Sequence, residues 1–114
     1  MLKADAKERL NRLGFGEFMC VVYLYCAYAD GEFTEKEMQF ARSPVDQNTF
    51  DQLHEAMSEL SDQERLGVIM HHKKYYRTEE SKKILLGEMQ KMFEADDNFV
   101  PIERAVHRIL GRLL

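Results

Sequence analysis

The chain has 114 residues, 45% of them hydrophobic and 32% charged, with a net charge of −4. That length and apolar content suit a single domain with a real core, and the acidic balance argues against nucleic acid as the main partner, because phosphate backbones recruit clustered lysine and arginine. Two prolines, six glycines and no low-complexity run predict a compact chain with short linkers.

Leu2, Ala6, Leu10 and Leu13 recur at helical spacing until Gly14-Phe15-Gly16 breaks the pattern, which predicts a first helix. Glu17 to Ala29 is apolar nearly all round, as in a helix surrounded by others, and Asp30-Gly31 ends it with turn chemistry. The tripeptide Ala27-Tyr28-Ala29 has the form of a signal-peptidase site. The stretch before it is periodic and carries Asp5, Glu8 and Glu17, so a buried central helix is the better reading. The apolar run is also shorter than the about 20 residues a bilayer requires. Cys20 and Cys26 lie on different faces of this helix. They are read as small buried hydrophobes without a disulfide or zinc partner, in a reducing, cytoplasmic setting.

Thr34 to Glu37 forms a capping box that starts a third helix running to about Ser43-Pro44. Phe50, Leu53, Met57 and Leu60 mark a fourth. Ser61 to Glu64 caps a fifth, with Leu66, Ile69, Met70 and the stem of Lys73 as its buried stripe and His71-His72-Lys73-Lys74 as its wet, basic end. Thr78 can cap a sixth helix carrying Leu85, Met89, Met92 and Phe93. Pro101 suits the first turn of a seventh, whose apolar face is Ile102, Ala105, Val106, Ile109, Leu110 and Leu113. No segment alternates with period two, so the expected fold is all-α, a compact bundle of about seven helices.

One acidic phrase occurs twice, Ala29-Asp30-Gly31-Glu32-Phe33-Thr34-Glu35-Lys36-Glu37 and Ala95-Asp96-Asp97-Asn98-Phe99-Val100-Pro101-Ile102-Glu103, at an offset of 66 residues. The same offset aligns the apolar pairs Phe18/Ile84, Met19/Leu85, Tyr23/Met89 and Cys26/Met92 upstream. The repeat predicts two related helix-loop-helix halves.

A hard cation needs several oxygens at close range, and Asp30 with Glu37, like Asp96 with Glu103, could converge across a tight turn. Glu32, Asp97, the Asn98 amide and loop carbonyls could complete the shell around calcium, magnesium or manganese. The loop is not an EF-hand: it is too short, and its glycine stands at the second position rather than the sixth. Helix capping is the competing reading. Asp-Gly is a common helix-ending turn, and Glu37 closes a capping box with Thr34. In the second copy Val100 cannot cap through its side chain, yet Glu103 remains, and an acid in a first helical turn is favourable in any case.

The two phrases, with Ile109-Leu110-Gly111 after the second, resemble the TerB-like tellurite-resistance family over residues 17–42 and 83–114. The resemblance implies an all-helical bundle with related halves and divalent-cation binding at the loop acids, here Asp30, Glu37, Asp96 and Glu103. It also implies a setting in tellurite resistance or stress response, including association with a membrane-protein partner. The second loop departs from the family pattern in having Asp97 where glycine is usual.

Lys73, Lys74, Arg77, Lys82 and Lys83, with Tyr75 and Tyr76 among them, form the most basic stretch. It reads as a solvated face or a docking surface for an acidic protein. His71, His72 and His107 read as surface residues, and the seven methionines as core filler. There is no nucleophile-base pair, phosphate loop or cofactor signature, so no catalytic residues are assigned and no enzyme is expected. The sequence thus points to a single-domain (residues 1–114), cytoplasmic, non-enzymatic module. It would bind a divalent cation and engage a protein partner, without nucleic acid and without membrane insertion. The alternative is a purely structural interaction domain whose loop acids are caps.

Overall fold

A computed structural model describes residues 3–30 and 35–94, and the chain divides into two compact units, residues 1–72 and 73–114. The first unit holds α1 (Lys3–Leu10), α2 (Phe15–Asp30), α3 (Glu35–Arg42), α4 (Gln47–Ser58) and α5 (Asp62–His71). In the second, a 3-10 turn (Lys73–Tyr75) precedes α6 (Glu79–Glu94). All regular structure among the described residues is helical, and none of their helices is long and apolar enough to cross a membrane.

In the first unit α2 is the central helix. It packs on α3, α4 and α5, while α1 packs on α4. Every residue from Phe18 to Leu24 is buried, so this stretch of α2 is covered on all sides, as its lack of a polar face requires. Around it lie Ala6, Leu10 and Leu13 from α1 and the turn after it, Ala41 from α3, Phe50, Leu53, Ala56 and Met57 from α4, and Val68 and Ile69 from α5.

Acidic side chains fix the starts of three helices in this unit, α2, α4 and α5. α2 begins at Phe15, two residues before the expected start, because Gly14 starts the helix as well as breaking the previous one. The Gly14 carbonyl accepts from the Phe18 amide at 2.8 Å, and the Gly14 amide donates to the Glu17 carboxylate at 2.9 Å. Arg9 donates to the other Glu17 oxygen at 2.6 Å. Burial pushes the Glu17 pKa up, but the Arg9 and Gly14 hydrogen bonds outweigh it and leave the carboxyl below its ordinary range. Asp46 caps α4 by accepting from the Thr49 amide at 2.7 Å. Ser61 and Glu64 form the expected capping box on α5, and Lys3 and Lys7 of α1 each reach the same Glu64 at 2.9 Å. In the second unit Thr78 Oγ1 accepts from the Ser81 amide at 3.0 Å at the start of α6, as its position predicts.

The expectation of one compact bundle of about seven helices in two related halves is corrected. Five helices pack as one unit ending at His72, and the division falls between α5 and the 3-10 turn rather than between two matched halves. The paired positions also differ in environment: Phe18 is 0% exposed and Ile84 is 55% exposed. Their sequence match records two apolar helices, of which only the central α2 is covered all round. Residues 95–114, which carry the expected seventh helix, lie outside the described residues, as does Leu2.

Two further expectations change at the end of α5. Met70, expected in the buried stripe, is 42% exposed, whereas His72, expected at a wet helix end, is 4% exposed. The cause is local: α5 ends at His71, and His72 leaves the helix at φ −101°, ψ 40°. Its ring turns inward, with Nε2 2.7 Å from the Leu10 carbonyl. That carbonyl ends α1 and has no intrahelical partner, so His72 caps a helix 62 residues away in sequence. Because a carbonyl only accepts, Nε2 carries the proton.

Candidate functional site

The first acidic phrase joins α2 to α3. Asp30 is the last residue of α2, and Glu37 stands in the first turn of α3, which opens at Glu35. The side chains of Asp30 and Glu37 lie outside the described set; Glu32, Asp96, Asp97, Asn98 and Glu103 lie wholly outside it. Among the described residues no group of three or more His, Cys, Asp or Glu side chains is placed to hold a metal ion.

Backbone placement still bears on the chemistry. The end of an α-helix carries unsatisfied carbonyls and the negative end of its dipole, where a carboxylate is disfavoured and a cation favoured. α2 ends in Asp30 and has no basic residue in its last turn. An acid is thus added to an already negative terminus, and loop carbonyls there are the type of ligand a hard cation takes. At the other end of the loop Glu35 and Glu37 occupy the first turn of α3, where the dipole itself favours them. Glu35 also lies 3.6 Å from Arg42.

What ties α2 and α3 to the rest of the unit has no signature in the acidic phrase itself. A column of stacked groups crosses the unit in the order Arg65, Tyr28, His54, Phe50, Arg42. The Arg65 guanidinium lies over the Tyr28 ring at 4.0 Å from its centroid, Tyr28 stacks on His54 at 6.3 Å, His54 on Phe50 at 5.6 Å, and Arg42 lies over Phe50 at 5.7 Å. Tyr28 is two residues before Asp30 on α2, and Arg42 ends α3. The helices on either side of the acidic loop are therefore fastened to neighbouring side chains of α4, α2 to His54 through Tyr28 and the far end of α3 to Phe50 through Arg42. Partly desolvated cation–π contacts contribute on the order of 1 kcal/mol each. Arg65 is anchored in turn, donating Nε to the Met57 carbonyl at 2.9 Å and Nη1 to Asp62 at 2.9 Å. Burial lowers the pKa of His54, against the opposing pull of Asp51, and raises that of Tyr28, against the opposing pull of Arg65. The signal available in the sequence was Phe50 and His54, four apart on one face of α4.

The other candidate groups separate clearly. Cys20 is a free, buried thiol whose pKa is pushed up to about 12 by burial first and by Glu17 second, which makes it a poor nucleophile. Cys26 and His107 lie outside the described side chains. His71 is exposed, and Lys74, Arg77 and Lys83 are exposed as expected; Lys73, whose stem was expected in the buried stripe of α5, is exposed too because α5 ends at His71, and Tyr76 is buried and so does not belong to a basic surface.

Comparison with protein-family models, with curated proteins and with solved structures finds no match to this chain.

Proposed function

We propose that the chain is a TerB-like helical module of the cytoplasm, connected to tellurite resistance or stress response, that binds a divalent cation at its acidic loops and couples binding to a protein partner. The observation that carries the reading is the end of α2, where Asp30 closes a helix with no basic residue in its last turn and the repeated acidic phrase begins. A calcium, magnesium or manganese ion there offsets charge that the helix itself disfavours. The stacked column supports the coupling half of the reading, because Tyr28, two residues before Asp30, touches both His54 of α4 and Arg65 of α5. Asp30, Glu32, Glu37, Asp96, Asp97 and Glu103 are the proposed oxygen donors, and no residue is given a catalytic role.

One specific observation favours the alternative of a purely structural interaction domain. Glu17, Asp46 and Glu64 all serve as caps in this unit, and Glu37 stands at the same third helical position as Glu64 does in α5. Calorimetric titration of calcium, manganese and magnesium into metal-free protein separates the two readings, with an Asp30→Asn, Asp96→Asn variant as control. Saturable heat lost in the variant is the expected result. No heat with folded protein assigns the acids to capping.

A further inference from the structure

Lys73, Lys74, Arg77, Lys82 and Lys83 place five positive charges within eleven residues, against Glu79 and Glu80, in a chain of net charge −4. Lys73, Lys74, Arg77 and Lys83 are exposed, Lys82 is half-buried, and none of the five makes an ion pair among the described residues. Local structure accounts for only part of this charge: Lys74 lies over the Tyr75 ring at 5.0 Å from its centroid, and Lys73 and Lys74 follow the end of α5, where the helix dipole favours cations. Lys82 and Lys83 follow closely on the first turn of α6, near the positive end of its dipole, where cations gain nothing. Ile84 adds an exposed apolar side chain next to them.

The opposite pattern lies on α4. Asp51, Glu55 and Glu59 recur every four residues, are all exposed, and so form one ridge spanning about 12 Å at the rise of an α-helix. Glu55 and Glu59 stand at the C-terminal end of α4, which has no basic residue in its last turn. The backbone there favours cations.

From this complementarity we propose that the basic segment 73–83 is a docking surface for the acidic α4 ridge of a second copy of this chain. Each copy offers one surface of each sign, so the contact is head to tail and can extend beyond two chains. It is a polar contact that salt screens, and it depends on neither the acidic loops nor a bound cation.

The experiment is sedimentation equilibrium on the full chain at about 20 mM and about 500 mM salt, a range over which the Debye length falls severalfold. The wild type associates at low salt and dissociates at high salt. Lys73→Glu with Lys74→Glu, and separately Asp51→Lys with Glu59→Lys, each weaken self-association at least about tenfold, the scale of losing about 1.4 kcal/mol. An equimolar mixture of the two variants associates again, because each then meets a surface of opposite sign. Far-UV circular dichroism checks folding, and Lys73→Gln with Lys74→Gln is the milder probe should charge reversal disturb it. A wild type that stays monomeric at low salt, or a mixture that fails to recover, overturns the proposal. So does a monomer that binds phosphatidylserine vesicles through Lys73 and Lys74, since that result gives the segment to a lipid surface.

Discussion

Gly16 and Gly67 both lie inside helices of the five-helix unit, yet alanine should act on them in opposite directions. A Cβ built on Gly16 falls 2.8 Å from the Pro44 carbonyl oxygen, a backbone atom in the turn between α3 and α4. One built on Gly67 meets nothing within 4 Å. In a helix interior, Gly→Ala is worth about 1 kcal/mol in alanine's favour. At Gly67 that gain stands alone. At Gly16, the second residue of α2, that gain is an upper limit and is set against overpacking of about 1–3 kcal/mol, because the Cβ meets backbone rather than the end of a flexible side chain. The expected result is a net loss of roughly 1 kcal/mol for Gly16→Ala and a gain of about the same size for Gly67→Ala. For a unit of this size each corresponds to about 4–8 °C in Tm, with opposite signs. Thermal unfolding followed by far-UV circular dichroism, with urea denaturation as a second measure, reads both. A Gly16→Ala protein as stable as Gly67→Ala would refute the close approach of α2 to the turn that precedes α4.

Three other outcomes follow from the same structure. Replacing His72 with alanine leaves the buried Leu10 carbonyl without its 2.7 Å donor and opens a cavity, so urea denaturation should show a loss of about 2–4 kcal/mol. Stability should also depend on pH in two windows. His54 has its pKa lowered by burial, so it contributes stability that is complete above its unfolded value of about 6.5 and is lost as pH falls through the folded value. His54→Phe should flatten the curve there. Asp46, held low by the Thr49 amide, and Glu64, held low by the Ser61 amide and then by Lys7 and Lys3, contribute stability above about pH 4. That contribution is lost only on further acidification, as the folded carboxylates protonate. In a Cys26→Ser background Cys20 should resist alkylation at pH 8 until the protein is unfolded, because its thiol is pushed up to about 12; rapid labelling of native protein would contradict that.

Local chemistry written within a few residues was legible in the sequence. Ser61 and Glu64 cap α5, α3 ends before Ser43-Pro44, and the apolar run after Glu17 forms the buried centre. What was not legible depended on partners far along the chain. His72 reads as one of a hydrophilic quartet, and only the Leu10 carbonyl, brought near by packing of the unit, turns it inward. Arg42, Phe50, His54, Tyr28 and Arg65 come from four helices, so beyond the Phe50–His54 spacing on α4 no local pattern announces their stacking. The 66-residue repeat suggested equal halves because apolar identity survives an alignment and burial does not: Phe18 and Ile84 match in type and differ completely in exposure. Of the candidate site, the sequence showed which acids repeat, and the fold adds that the first of them closes a helix with no compensating base.

The most direct test of the cation reading is a titration of manganese into isotope-labelled protein, followed by amide NMR, since the paramagnetic ion broadens signals only near where it binds. Early, saturable broadening confined to residues around 30–37 and 95–103, and absent in the Asp30→Asn, Asp96→Asn variant, is the expected result. Broadening that instead spreads over the exposed carboxylates of α4, or that survives the double substitution, would contradict it.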